Sequence, residues 1–148
     1  MSFKRLYPAL VLMLCFAFQP IFAGLIQSYD RNKDGNPDEW LESIDDGRYR
    51  LIKDRNFDGS GDYAMVYDDK GTKEFEELDY NFDGIMDDFY YYSSGVLTRR
   101  EVDTNYDKKI DIWVYLDEGV YIRKIQRDLD FDGVADLTTD YGSAAERE

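Results

Sequence analysis

The sequence contains no histidine, and its single cysteine is Cys15. Without histidine there is no Ser-His-Asp or Cys-His catalysis, and no His-ligated zinc or haem. Cys15 sits in an apolar N-terminal segment, so everything beyond it is without a disulfide. Carboxylate chemistry is all that remains to an enzyme. Positive charge is also scarce: Lys plus Arg is 18 against 32 Asp plus Glu, a net charge of −14. Such a surface repels nucleic acid and anionic membranes, and it suits cations or basic partners. Helical patterning is missing too, since nothing beyond residue 23 shows a 3.6-residue period. Aromatic residues, by contrast, make up 16% of the chain, which argues against disorder.

The one long apolar run is N-terminal. Lys4 and Arg5 precede Leu6 to Phe18, and Ile21-Phe22-Ala23 places a small residue where signal peptidase needs one. Residues 1–23 therefore read as a signal peptide cleaved near Ala23, giving a secreted or periplasmic protein with no stable membrane span after cleavage. As an uncleaved anchor the run is short. As a lipoprotein signal it has Met13 and Leu14 where small residues are needed. Cleavage removes Lys4 and Arg5 and no acid, leaving 16 basic and 32 acidic residues, a charge of −16.

Residues 24–141 carry a repeat, which outranks any local signal. Five acidic loops start at Asp30, Asp54, Asp79, Asp103 and Asp128, separated by 24, 25, 24 and 25 residues. Loop position 1 is that Asp. Position 3 is Asn32, Asn56, Asn81, Asn105 and Asp130, and position 5 is Asp34, Asp58, Asp83, Asp107 and Asp132. Position 6 is Gly except at Lys108. Position 7 is Asn36, Ser60, Ile85, Lys109 and Val134, and position 9 is Asp38, Asp62, Asp87, Asp111 and Asp136.

This spacing suits calcium, a hard cation that takes 6–8 oxygens at flexible angles. Side chains at positions 1, 3 and 5 converge from a curled backbone, and Gly at position 6 permits the sharp turn. The position-7 carbonyl then faces inward, which leaves that side chain free to vary, and Asp at position 9 closes the shell. An EF-hand would need Glu at position 12 and flanking helices; here position 12 is Leu41, Met65, Tyr90, Val114 and Thr139. Turn-forming propensity explains acidic turns in general. It does not explain acids at positions 1, 5 and 9 in every copy.

The flanks read as strands. Aromatic and β-branched runs such as Tyr63–Tyr67, Phe89–Tyr92 and Ile112–Leu116 end in tight-turn signals such as Asp68-Asp69-Lys70-Gly71 and Ser93-Ser94-Gly95. More charged strands follow and lead into the next loop. The expected fold is all-β: an antiparallel meander of about ten short strands in five repeats, with the acidic loops along one edge, curled or as an incomplete propeller. Leu25–Tyr29 and Leu137–Tyr141 are half-repeats at its ends, and residues 142–148 are a flexible tail.

The loops resemble those of integrin-type FG-GAP and bacterial VCBS repeats and of thrombospondin type 3 segments, in exported calcium-binding proteins. The resemblance covers residues 30–136. The period is shorter than a propeller blade, and the cysteines of thrombospondin repeats are missing. The resemblance implies calcium ligands at loop positions 1, 3, 5 and 9.

Three functions follow as expectations. The first is a non-enzymatic protein whose array is ordered by up to five calcium ions, with the site at Asp103–Asp111 weakest because of Lys108 and Lys109. The second is a calcium-dependent adhesin: Tyr63, Tyr67, Tyr90, Tyr91, Tyr92, Trp113 and Tyr115 place aromatics on both faces of neighbouring strands, one set forming a core and the other an exposed platform for glycan or protein, unless the sheet curls or pairs and buries both. The third is a carboxylate-based glycoside hydrolase. Its least patterned acids, Glu76 and Glu77, read more simply as a solvated strand or turn.

Overall fold

The computed structural model describes residues 24–45 and 47–142. The expected signal peptide lies outside the described residues, as does the tail beyond Gly142. Among the described residues no helix is long and apolar enough to cross a membrane.

The chain is all-β. Its strands are β1 (Leu25–Tyr29), β2 (Glu39–Ser43), β3 (Tyr49–Lys53), β4 (Tyr63–Tyr67), β5 (Lys73–Leu78), β6 (Asp88–Ser93), β7 (Val96–Val102), β8 (Ile112–Asp117), β9 (Tyr121–Arg127) and β10 (Leu137–Asp140). They form one antiparallel sheet in chain order, and the sheet is not closed. Short connections dictate this order. At Ser94-Gly95, between the paired Ser93 and Val96, both turn residues have positive φ (51° and 78°), the twist that suits a two-residue hairpin; Glu118-Gly119 have the same signs (53° and 76°) in the three-residue connection from Asp117 to Tyr121. The acidic loops make the wider return at the opposite edge.

Registers repeat from strand to strand, so side chains line up in rows. One face carries Leu41, Leu51, Met65, Glu76, Tyr90, Arg100, Val114 and Ile125, each opposite the next. The other carries Trp40, Ile52, Ala64, Glu77, Phe89, Glu101, Trp113 and Gln126 in the same way. No second layer covers either row among the described residues. Ala64 and Met65 are the apolar side chains that become buried there; most strand residues are half-buried.

Long basic side chains supply part of the missing cover. Arg99 lies 4.0 Å from the Tyr91 ring centre, Lys124 3.9 Å from Tyr115, Arg100 5.1 Å from Tyr90 and Lys73 5.2 Å from Tyr92. Each contact is worth about 0.5–1 kcal/mol at such half-open sites, and the stems shield apolar ring surface. The aromatic rows are thus neither sealed in a core nor bare.

Acids within the rows are paired. Glu76 and Glu77 lie inside β5 on opposite faces, not in a solvated strand or turn. Glu76 accepts from the Tyr63 and Tyr92 hydroxyls and from Lys73, while Glu77 pairs with Arg50. Asp88 is fully buried and held by Arg100 at 2.8 and 2.6 Å and by the Tyr90 hydroxyl at 2.9 Å. The expectation of solvated acids fails because Tyr63 and Tyr92 one strand away and Lys73 three residues away reach Glu76, and Arg50 two strands away reaches Glu77.

Two outcomes follow. Burial opposes ionisation of Glu76, but its Tyr63, Tyr92 and Lys73 partners outweigh it and hold the carboxyl below its ordinary 4.5. A depressed carboxylate stabilises the fold above that value, and the contribution is lost as pH falls through the lowered one. Glu76→Gln should therefore give a shallower decline of melting temperature below about pH 4.5 than the parent shows. At the loop edge, a Cβ on Gly61 would clash with Ile52 Cγ2. Because Ile is stiff at χ1, Gly61→Ala should cost about 1–3 kcal/mol in urea unfolding.

Candidate metal centre

Each acidic loop is built from the same hydrogen bonds. The position-1 carboxylate accepts from the N–H of positions 4 and 6: Asp54 from Phe57 (2.6 Å) and Gly59 (2.7 Å), Asp103 from Tyr106 (2.7 Å) and Lys108 (2.7 Å). The position-3 side-chain oxygen accepts from the N–H of position 5, and the position-5 carboxylate from that of position 7. The position-9 carboxylate reaches back to the N–H of position 2, as Asp62 does to Arg55 (2.7 Å) and Asp111 to Thr104 (2.7 Å). These bonds curl the backbone around a cluster of oxygens.

The curl requires left-handed backbone at positions 4 and 6. Position 4 has φ of 60–65° at Lys33, Phe57, Phe82, Tyr106 and Phe131. For bulky residues this is a strained conformation, of the kind that persists only where the surroundings fix it. At position 6 glycine carries the strain freely, whereas Lys108 adopts φ 76° and keeps the bond to Asp103. Loop 4 therefore closes like the others.

Neighbouring loops are linked by backbone. The N–H of each position-1 Asp donates to the C=O of the preceding position-9 Asp: Asp54 to Asp38 (2.9 Å), Asp79 to Asp62, Asp103 to Asp87 and Asp128 to Asp111 (each 2.8 Å). The position-9 N–H closes its own loop on the residue just before position 1. Position-1 and position-9 side chains are consequently packed between loops, and eight of the ten are buried. The sequence period implied adjacent loops; it did not imply that the acids would be interior.

In loops 2, 4 and 5 three acids bring carboxylate oxygens within 4.8 Å of one another: Asp54, Asp58 and Asp62; Asp103, Asp107 and Asp111; Asp128, Asp130 and Asp136. Each group could hold a metal ion. Asp30, Asp34 and Asp38 of loop 1 and Asp79, Asp83 and Asp87 of loop 3 keep the loop hydrogen bonds without that triple approach. Asn32, Asn56, Asn81 and Asn105 point an amide at the position-5 acid, at 3.1, 2.9, 3.0 and 3.3 Å. Position 7 enters through its N–H, from Asn36, Ser60, Ile85, Lys109 and Val134 at 2.8–3.0 Å.

Charge crowding shows in the carboxyls. Asp130, an acid where the other loops have Asn, is pushed up by Asp132 and then Asp136. Asp87 is raised by burial, with Asp79 and Asp83 adding to the effect. Asp58 is lowered by the Asn56 amide and the Ser60 N–H.

Asp111 is the sharpest case. Its side chain is 1% exposed. Oδ2 accepts from the N–H and the hydroxyl of Thr104 (2.7 and 2.6 Å), but Oδ1 is buried with no hydrogen-bond partner. An unsatisfied buried carboxylate oxygen costs about 1–3 kcal/mol or more. It lies in the Asp103–Asp107–Asp111 cluster, and that all-oxygen donor set fits a hard cation.

In chelator-containing buffer Asp111→Asn should leave stability unchanged or raise it, since it removes an uncompensated charge while keeping the acceptor for Thr104. A loss comparable to that of an ordinary buried hydrogen bond, read by urea denaturation, would show that Oδ1 is satisfied after all. Comparison with models of known protein families finds no match, and comparison with curated proteins finds no significant similarity.

Proposed function

We propose that the protein binds calcium along its loop edge and that the ions order and rigidify the sheet. The buried, unpartnered Asp111 Oδ1 inside a three-carboxylate cluster carries this reading. A cation there would satisfy the orphaned oxygen and cancel like-charge repulsion at one stroke. The oxygen donors of the loops suit a large, flexible coordination shell better than the strict octahedron of magnesium. The likeness to the calcium loops of FG-GAP, VCBS and thrombospondin type 3 repeats points the same way.

The physical logic is linkage. A ligand bound by the folded state alone adds its binding free energy to folding. A sheet one layer deep has little other reserve. Five ions would bring the charge of residues 24–148 from −16 to −6. Extracellular modules bind calcium at roughly 10⁻⁴–10⁻³ M, and the N-terminal signal-like segment fits a protein that is ordered after export. The aromatic faces support the adhesin reading less well, because Arg and Lys side chains already lie over four of the rings. The hydrolase reading is weaker still, since Glu76, Glu77 and Asp88 all have structural partners.

Among the three clustered loops the fourth ranks weakest in this proposal because Lys108 and Lys109 bring positive charge to it, although the Lys109 ammonium is drawn off to the Phe131 carbonyl at 3.0 Å. Excess calcium should raise the melting temperature over that in chelator, and an unchanged value overturns the proposal. Lys108→Gly should relieve roughly 1 kcal/mol of left-handed strain and tighten one class of site in calorimetric titration. If no site tightens, the ranking is wrong while the calcium reading stands.

A further inference from the structure

We infer that a second copy of this chain docks head to tail, β10 of one copy pairing antiparallel with β1 of the next. Among the described residues these two strands have a sheet neighbour on one side only. What distinguishes them from any open edge is that they match.

The match starts at the loops. Four times along the sheet a position-9 Asp carbonyl accepts from the next position-1 Asp N–H. The series leaves one donor without such a partner, the Asp30 N–H, and one acceptor, the Asp136 carbonyl. Their side chains are also the two of that set of ten that are exposed. A copy added in sequence would make the same bond a fifth time.

The strands continue the match. At all four interior junctions, the residue two after a position-9 Asp lies opposite the residue two before the following position-1 Asp: Trp40 with Ile52, Ala64 with Glu77, Phe89 with Glu101, Trp113 with Gln126. The same rule sets Thr138 opposite Ser28 of the next copy, Leu137 opposite Tyr29 and Thr139 opposite Gln27. Antiparallel pairing alternates the direction of backbone groups. Tyr141 N–H bonds Arg123 on β9 (2.8 Å), so Thr138 and Asp140 turn their backbone groups outward. By the same alternation Ser28 turns outward from β2. The cross-strand pairs are uncharged, and neither strand contains the proline or lysine by which edges are commonly blocked. The bulge at Ile26 limits the match to the loop-proximal half of β1.

A contact of this kind is heterologous, so it propagates into a linear array and does not close as a dimer. Each copy would extend one continuous sheet by about 48 Å, from ten strands at a 4.7–4.9 Å spacing. Backbone pairing needs no metal, so the inference is independent of the calcium reading.

Disulfide trapping tests it on the full chain with Cys15→Ser as background. Gln27→Cys and Thr139→Cys are made in separate proteins, mixed and oxidised. Cross-strand partners bring their Cβ atoms within about 4.5–5.5 Å, near disulfide range. The expected result is a disulfide dimer from the mixture and none from either protein alone. Thr138→Pro, which removes an outward N–H without touching the β9 ladder, should abolish the trapped species while retaining the melting temperature. Light scattering of the parent should show a mass rising with concentration. A mass that stays monomeric, whether because the edges repel or because another part of the chain covers them, overturns the inference. So do homodimers as abundant as the mixed dimer, which would indicate a symmetric edge contact.

Discussion

A sheet one layer deep cannot seal its strands against a second layer, and most of what is unusual here follows from that. Hydrophobic burial ordinarily supplies the largest favourable share of folding free energy, yet Ala64 and Met65 are the apolar side chains it buries among the described residues. The load shifts to the backbone ladder, to cross-strand rows, and to Arg and Lys stems laid over Tyr rings. It shifts also to the loop edge, where buried aspartates do the work that leucines do elsewhere. Asp62, Asp79, Asp88 and Asp111 are among the largest fully buried side chains of the molecule.

Polar interiors have a condition attached. A buried carboxylate is tolerable when its oxygens are satisfied and costly when one is not. The position-9 aspartate meets the condition by serving three roles. Its carboxylate ties down the start of its own loop, its N–H closes that loop, and its C=O anchors the next. Asp111 has all three and still keeps one oxygen unmatched. The loops thus hold their shape by internal hydrogen bonding and retain an electrostatic demand that those bonds do not meet.

Much of this was legible in the sequence, because period and hydrogen-bonding geometry reinforce each other. The recurrence from Asp30 to Asp136 and the tight-turn signals set strand number, order and loop edge. Gly at position 6 foretold a left-handed turn, which Lys108 adopts as well. What stayed hidden depends on neighbours in space. That Glu76 would be gripped by Tyr63 and Tyr92 follows from a register two strands wide. That the position-1 and position-9 acids would be buried follows from loops stacking on loops. A charged residue reads as solvent-facing until its neighbours are known. The strained φ of the position-4 residues was hidden as well.

Each strand contacts chiefly the strands beside it in chain order, so the molecule behaves as a one-dimensional chain of couplings. Such an object has no single keystone. It frays inward from its ends, a fault in the middle splits it into two shorter sheets, and a whole period gained or lost leaves every remaining contact in phase. Its length is accordingly a free variable, open to change by duplication or deletion of roughly one hairpin at a time without a redesign of what remains.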